Sequence, residues 1–218
     1  MFFISSALAE TAQEVTAAGG KLLLPVPANG RGIDMFVYLS RFDLPLFVEE
    51  RIVKKTEDLF HKKLWIKPFD LPEKNYSVVN NVNRNDLLKQ GPAGVYMFSD
   101  GMMTEPTAQR YFETVRDDNS SRIIISGHSA RGTLANQLLQ KDFIVNNHIK
   151  VSAEQLTIKV HNDFDDVVSL VKSVCPKYVM LFHCKRSGCT ALAKKLSGQG
   201  IIVLLDTGRE YPIESFPS

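Results

Sequence analysis

Short apolar runs alternate along the chain with segments whose apolar residues recur at helical spacing, and each run is closed by Gly or Ser. Such runs are typical of buried strands, and the segments between them are typical of amphipathic helices. The pattern predicts strands at Lys21–Val26, from Leu46, and at Val95–Phe98, Ile123–Ser126, Val151–Val160, Tyr178–Phe182 and Ile201–Leu205. It predicts one helix that begins near Ser6, one that ends at Leu59 and one that begins at Pro106. It also predicts helices at Ile33–Phe42, Thr133–Leu139, Asp165–Val174 and Ser187–Leu196. This alternation indicates an α/β architecture with mainly parallel strand pairing.

Three loops that follow predicted strands are rich in glycine and small polar residues: Pro27–Gly32, Ser99–Thr104 and Gly127–Thr133. In α/β proteins ligands bind where the carboxyl ends of strands meet the amino ends of helices. Each loop could direct backbone N–H groups toward an anion. The alternative is that the glycines only make tight turns. None of the loops matches a P-loop or a GxGxxG fingerprint, so nothing here indicates a nucleotide cofactor.

The composition excludes several classes of protein. The chain has 218 residues, of which 44% are hydrophobic and 23% charged, which is typical of a globular protein rather than a disordered or fibrous one. The formal net charge of +2 predicts no strong non-specific binding to polyanions. No apolar run reaches the ~18 residues of a membrane span, and Met1–Ala9 lacks the basic flank of a signal peptide. Three cysteines are too few to indicate a disulfide framework, so we expect a reducing, cytoplasmic location.

Two of the five histidines, His161 and His183, follow predicted strands directly. An imidazole at that place can ligate zinc or act as a general acid, and a nearby carboxylate such as Asp163 can orient it. Taken singly, each is more often a structural or surface histidine. Two histidines also do not complete a catalytic zinc site, which usually has three or more ligands. The chain contains no HxH, HExxH or CxxC sequence.

Five stretches, in order from about Gly19 to Lys195, resemble the second half of a β-CASP metallo-β-lactamase-fold nuclease. This family includes ribonuclease J and the mRNA 3′-end processing endonuclease. The family patterns are GGKVLIPxFxxGR, S-x-GM-L/M-x, a strand followed by SGYxxxGTL, motif B (SAHADxxEL, here from its histidine onward) and motif C (LVHG). The corresponding residues are Gly19–Arg31, Ser99–Thr104, Ile123–Leu134, His161–Asp166 and Leu181–His183.

The resemblance implies a fold and an activity. Residues 1–140 would form the parallel-sheet β-CASP domain, and residues 141–218 the C-terminal part of a metallo-β-lactamase αββα fold. The family hydrolyses phosphodiester bonds in RNA, and in some members DNA, with two zinc ions (Zn2+). By this likeness His183 would be a zinc ligand and His161 the catalytic histidine that protonates the leaving oxygen. The residues that would bind the substrate are Ser99, Gly101, Gly127, His128 and Thr133.

The departures from the family pattern are equally specific. The principal zinc motif HxHxDH is absent, so we expect the chain to be inactive alone. Motif B reads Lys159-Val160 before its histidine instead of Ser-Ala, and His128 stands where tyrosine is usual. The chain would be a fragment of a longer zinc-dependent ribonuclease or, alternatively, a non-catalytic relative that binds RNA or partners. A third alternative is an unrelated α/β binding module.

The expected partners follow from the same resemblance. Single-stranded RNA is the predicted ligand and DNA a possible one, with no membrane partner. The chain would form homo-oligomers or associate with the missing N-terminal half. A lysine-rich segment near Phe60 and Trp65 could bind RNA by phosphate neutralisation and stacking. A solvated lysine face with Trp65 in the core is the preferred interpretation. The lysines are Lys54, Lys55, Lys62, Lys63 and Lys67.

Overall fold

The computed structural model describes residues 6–61, 75–156, 163–181, 185–197 and 202–204. The chain divides into two compact units, Met1–Val160 and His161–Ser218. The strands are β1 (Lys21–Val26), β2 (Leu46–Glu49), β3 (Ser77–Val79), β4 (Gly94–Ser99), β5 (Arg122–Ile125), β6 (Ser152–Gln155), β7 (Tyr178–Met180) and β8 (Ile202–Leu204). The helices are α1 (Ser6–Ala17), α2 (Arg31–Leu39), α3 (Glu50–His61), α4 (Arg84–Gln90), α5 (Pro106–Val115), α6 (Leu134–Leu138), α7 (Lys141–Asn146), α8 (Phe164–Val174) and α9 (Arg186–Ser197).

The first unit is built on a six-stranded sheet in the order β3-β2-β4-β1-β5-β6, and every neighbouring pair is parallel. The predicted α/β class with parallel pairing is therefore confirmed. Because all strands run the same way, the loops that follow them emerge at one edge of the sheet. The loops rich in glycine follow β1, β4 and β5, which are adjacent strands at the centre of the sheet.

Apolar residues on both faces of the central strands hold this sheet between helices. Leu22 and Leu24 of β1 belong to one hydrophobic cluster, whereas Leu23 between them belongs to the other. This alternation follows from the two-residue repeat of a strand. It explains why β1 reads as a continuous apolar run, since a parallel sheet is covered on both sides. Removal of each such leucine from water contributes about 1.5–3 kcal/mol to folding.

The second unit contains a two-stranded parallel sheet, β7-β8, together with α8 and α9. Among its described residues, the hydrophobic cluster contains four buried side chains, Val168, Val171, Leu192 and Leu196, with Val167, Val179 and Leu181 packed against them. The capping box that begins α8 is formed by Asp163 and Asp166, each of which accepts the backbone N–H of the other. Asp163 therefore has the capping role that its position before a helix favours. The assignment of this unit to a metallo-β-lactamase fold stays a prediction.

Two strands differ from the sequence-based expectation. The strand predicted at Val151–Val160 belongs to the segment 141–218 by the family resemblance, whereas β6 pairs with β5 as the edge strand of the first sheet. An edge strand has one neighbour and three of its four residues are exposed here, so composition does not reveal its sheet. The second is β3, which has three residues and lies in Leu71–Gln90, a polar, Asn-rich stretch whose composition predicts turns and a short helix near its end. The short helix expected at the end of that stretch is α4.

Two further findings concern cysteines and membranes. Cys175 has an exposed free thiol, whereas Cys189 in α9 is disulfide-bonded. Three cysteines allow at most one disulfide, which is not the framework that small disulfide-dependent domains require. Among the helices in the described ranges, none combines the length and hydropathy needed to cross a bilayer.

Candidate nucleic-acid interface

The loops after β1 and β4 start side by side at the carboxyl edge of the first sheet. Val26 at the end of β1 is paired in register with Ser99 at the end of β4. The loops stay in contact beyond the strands, because a Cβ added to Gly101 would lie 3.3 Å from Cδ of Pro27. The structure thus brings together two of the glycine-rich loops in the way the predicted topology requires.

Arg31 connects the first of these loops to the loop after β5. It is the first residue of α2, and its guanidinium occupies the space that a Cβ on Gly127 would need. The Nε atom of Arg31 is buried and has no hydrogen-bond partner in the described part of the chain. Burial also lowers the pKa of Arg31 from its ordinary value, although an arginine remains charged near neutral pH. A cation with an unused donor therefore lies between two loops.

The amino end of α2 adds backbone donors next to that cation. Gly30 precedes the helix with φ of 59°, a conformation that favours glycine, and no side chain caps the helix there. The N–H of Asp34 is the first in this turn to donate to a backbone carbonyl, that of Gly30. The preceding N–H groups of the first turn have no intrahelical acceptor, as in any α-helix. The positive end of the helix dipole lies at the same place.

The loop after β4 is held in shape by Asp100, which itself adopts a positive φ of 92°. Its carboxylate accepts the N–H of Met102 at 3.2 Å, the hydroxyl of Thr104 at 3.1 Å and the N–H of Glu105 at 2.5 Å. Within the described residues, the N–H of Gly101 has no acceptor. The loop therefore uses its carboxylate internally, and the N–H of Gly101 is among the backbone donors that it leaves without an acceptor in the described residues.

Ser99 at the start of this loop bonds to a buried carboxylate that sequence analysis did not single out. Glu49 ends β2, is 4% exposed, and accepts the Ser99 N–H at 2.8 Å and the Ser99 hydroxyl at 2.7 Å through Oε2. Its Oε1 lies 3.2 Å from Nη2 of Arg84. Both donors of Ser99 are thus engaged within the protein. The available sequence signal is an acidic residue at the end of an apolar strand, immediately before a charged helix.

The loop after β5 presents several unused backbone donors. Across residues 127–132, no N–H donates to an acceptor in the part of the chain that is described. The loop is fixed from behind, because Gln155 donates to the carbonyl of Gly127 at 2.9 Å and Thr133 donates to that of Ala130 at 2.7 Å. Thr133 also caps α6 by accepting the N–H of Asn136. His128 is exposed on this loop.

The predicted substrate-binding residues lie in the loops at one edge of one sheet: Ser99, Gly101, Gly127, His128 and Thr133. Their role in binding stays a prediction. His161 and His183 lie outside the described residues, so their predicted catalytic and zinc-binding roles stay predictions as well.

The described residues do not fit a zinc site. Among them, no group of three or more His, Cys, Asp or Glu side chains could hold a metal ion. A catalytic zinc requires three protein ligands in most enzymes.

The described part of the lysine-rich segment is a solvated helix face. Lys54 forms an exposed pair with Glu50 at 2.9 Å, and the opposite face of α3 buries Ile52 and Val53. Exposed pairs of this kind contribute little to stability. Lys55 is also exposed on α3, whereas Lys62, Lys63, Lys67 and Trp65 lie outside the described residues.

Comparison with known proteins gives one family and several distant relatives. Residues 35–138 match the Beta-Casp domain family. The chain is 23% identical over 203 residues to Cleavage and polyadenylation specificity factor 73 of Drosophila melanogaster, covering 83% of the chain and 29% of that protein. It is 23% identical over 223 residues to Transcription termination factor FttA of Thermococcus kodakarensis, covering 87% and 34% respectively. It is 23% identical over 194 residues to Endoribonuclease YSH1 of Saccharomyces cerevisiae, covering 76% and 25%. The chain thus spans about a quarter to a third of the length of these relatives.

Proposed function

We propose, from the premise that this chain is a relative of the β-CASP metallo-β-lactamase-fold nucleases, that it binds single-stranded RNA across the carboxyl edge of its six-stranded sheet. The observation that carries this proposal is the guanidinium of Arg31, which is partly exposed, lies against Gly127 and forms no hydrogen bond or ion pair within the described residues. A phosphate there would receive a charge-assisted hydrogen bond, which is about twice as strong as a neutral one. The names of the relatives, which include an endoribonuclease, favour RNA as the ligand.

The backbone donors around Arg31 suit a nucleic-acid backbone. Unused N–H groups at Gly101 and across residues 127–132 can donate to phosphate oxygens or to sugar hydroxyls. Such contacts fix the register of a nucleic acid without reading its sequence. We therefore expect binding with little preference among base sequences.

Cleavage would require a second component. Nucleases of this fold hydrolyse phosphodiester bonds with metal-bound water. The 218 residues contain no HxHxDH motif, and the described residues do not form a metal site. We propose that a metallo-β-lactamase domain supplies the principal zinc ligands, that His161 and His183 contribute to the completed site, and that the chain alone is inactive. A cytoplasmic location belongs to the same proposal.

The test is RNA binding by the full chain, measured as the fluorescence anisotropy of a labelled single-stranded RNA with a single-stranded DNA of the same sequence for comparison. Arg31→Ala should weaken RNA binding about tenfold, the effect of losing one charge-assisted hydrogen bond. The matched control is Arg122→Ala, because Arg122 is also half-buried but lies at the opposite, amino edge of the sheet. Absence of binding by the wild type, or equal losses in both variants, would contradict the proposal.

The inactivity is tested separately with the same RNA. We expect no cleavage when the purified chain is incubated with zinc. Robust cleavage that disappears in His183→Ala would show that the chain is an enzyme by itself.

A further inference from the structure

The carboxylate of Glu49 is buried at the carboxyl edge of the sheet, and both of its oxygens are bonded within the protein. Its side chain is 5% exposed. Its two oxygens are directed to two different segments, Oε2 to Ser99 and Oε1 to Arg84. β2 is the sheet neighbour of β4, so Glu49 reaches the end of β4 from the adjacent strand.

The network continues through Arg84 to a third segment. Arg84 is the first residue of α4, and its side chain is 22% exposed. It donates to the side chain of Asn81 at 3.0 Å. Burial raises the pKa of Tyr111, and the nearby charge of Arg84 opposes that shift. Tyr111 is 2% exposed, and its ring stacks on that of Phe98 at 4.2 Å between centroids. A single buried carboxylate thus connects the ends of β2 and β4 with α4.

Stability alone does not account for this arrangement. A buried ion pair must recover the cost of removing two charges from water, and its replacement by apolar residues is often neutral or stabilising. The ion pair instead fixes the orientation of the groups that bond to Glu49. Both donors of Ser99 are fixed, and the loop that follows carries the unused N–H of Gly101.

We propose that Glu49 is a positioning residue that fixes the start of the loop after β4, so that this loop contributes to RNA binding in one defined conformation. This inference rests on the proposed function for its RNA ligand. Glu49 itself contacts no RNA.

The first measurement is amide hydrogen exchange in the full chain, which needs no RNA. Glu49→Ala removes the acceptor of two hydrogen bonds to a charged group, so exchange in residues 99–105 should become at least about tenfold faster. Glu49→Gln keeps an amide oxygen for Ser99 and should give an intermediate rate. The matched control is Glu50→Gln, since Glu50 is the next residue and is also ion-paired but exposed.

The second measurement is RNA affinity by fluorescence anisotropy. We expect Glu49→Ala to weaken binding about tenfold, Glu49→Gln to restore part of it, and Glu50→Gln to match the wild type. Val53→Ala serves as a stability control, because it leaves a cavity in the cluster on the other side from Tyr111. It should lower the unfolding temperature without changing exchange in residues 99–105 or RNA affinity.

The outcomes separate the two proposals. If Glu49→Ala is folded and leaves exchange in residues 99–105 unchanged, the positioning role is wrong. If exchange accelerates while RNA affinity stays at the wild-type value, the link to RNA is wrong. If Glu49→Ala does not fold, Glu49→Gln decides by the same two criteria. If the wild type binds no RNA, the proposed function fails, while the exchange data still decide whether Glu49 holds the loop.

Discussion

The guanidinium of Arg31 lies over the α-carbon of Gly127, and only a residue without a side chain leaves room for it. Arg31 begins α2 after the central strand β1, whereas Gly127 follows the neighbouring strand β5. The contact therefore joins two loops that are far apart in the chain. It places a charged donor where the carboxyl ends of the central strands meet.

Gly127→Ala should displace Arg31 with little loss of stability. The new methyl group would meet the end of a long flexible side chain, which can move at small cost. RNA affinity should fall about as much as in Arg31→Ala, to about a tenth, since the guanidinium loses its position. Fluorescence anisotropy and thermal unfolding of the same samples check both parts.

The control for this substitution is Gly20→Ala. There a Cβ would meet the backbone carbonyl of Ser120, which cannot move aside easily. We expect a large loss of stability without a specific effect on RNA affinity in the fraction that folds. RNA affinity unchanged in Gly127→Ala would show that the Arg31–Gly127 contact has no role in binding.

The backbone of Asp100 is strained, whereas its side chain forms stabilising hydrogen bonds. These two effects predict the order of stability of the wild type and two variants. Asp100→Gly removes the hydrogen bonds to Met102, Thr104 and Glu105 but relieves the positive φ of 92°. Asp100→Ala removes the same bonds and keeps the strain, which costs about 1 kcal/mol or more. Denaturant unfolding should therefore rank the wild type first, Asp100→Gly second and Asp100→Ala last. If Asp100→Ala were as stable as Asp100→Gly, the backbone at this position would not be strained.

Asp118 makes the stability of the first unit depend on pH. Burial by itself would raise the pKa of Asp118, but hydrogen bonds from Ser120 and Ser121 outweigh it and lower the pKa below its ordinary value. Stabilisation from such a group is complete above the unfolded-state pKa of about 3.9 and is lost as the pH falls through the lower folded-state value. Asp118→Asn should therefore be less stable than the wild type at pH 7, and the difference should shrink in acid.

Urea unfolding between pH 7 and pH 2 measures this difference. The matched control is Asp117→Asn, because Asp117 is the preceding residue and is exposed. Its effect on stability should be small and should not follow the same pH dependence. A constant deficit of Asp118→Asn across the pH range would disagree with the expected linkage.

The second unit should promote self-association. Leu170 and Val174 of α8 are 52% and 64% exposed, and Met180 of β7 is 65% exposed. Exposed apolar groups close together are typical of surfaces that contact a partner. Sedimentation velocity at increasing concentration should show association, and Leu170→Lys combined with Val174→Lys should reduce it. A strictly monomeric wild type at high concentration would contradict this expectation.

Much of the fold was predictable because buried parallel strands have a distinctive composition. Lys21–Val26, Val95–Phe98 and Ile123–Ser126 were predicted within one residue of β1, β4 and β5. The edge strands β3 and β6 were harder, since an edge strand needs few apolar residues. Their place in the sheet depends on hydrogen bonds to a neighbour rather than on their own sequence.

The α/β class, the central strands and the three glycine-rich loops are predictable from the sequence, because hydrophobic pattern and turn residues act over a few neighbouring positions. Its family motifs also indicated the β-CASP relationship, which the match of residues 35–138 confirms. The tertiary structure alone decided that Glu49 bonds to Ser99 and that Arg31 covers Gly127. Glu49 and Ser99 are 50 positions apart, so their contact depends on the order of strands in the sheet. That order results from the packing of the whole unit, which no local pattern encodes.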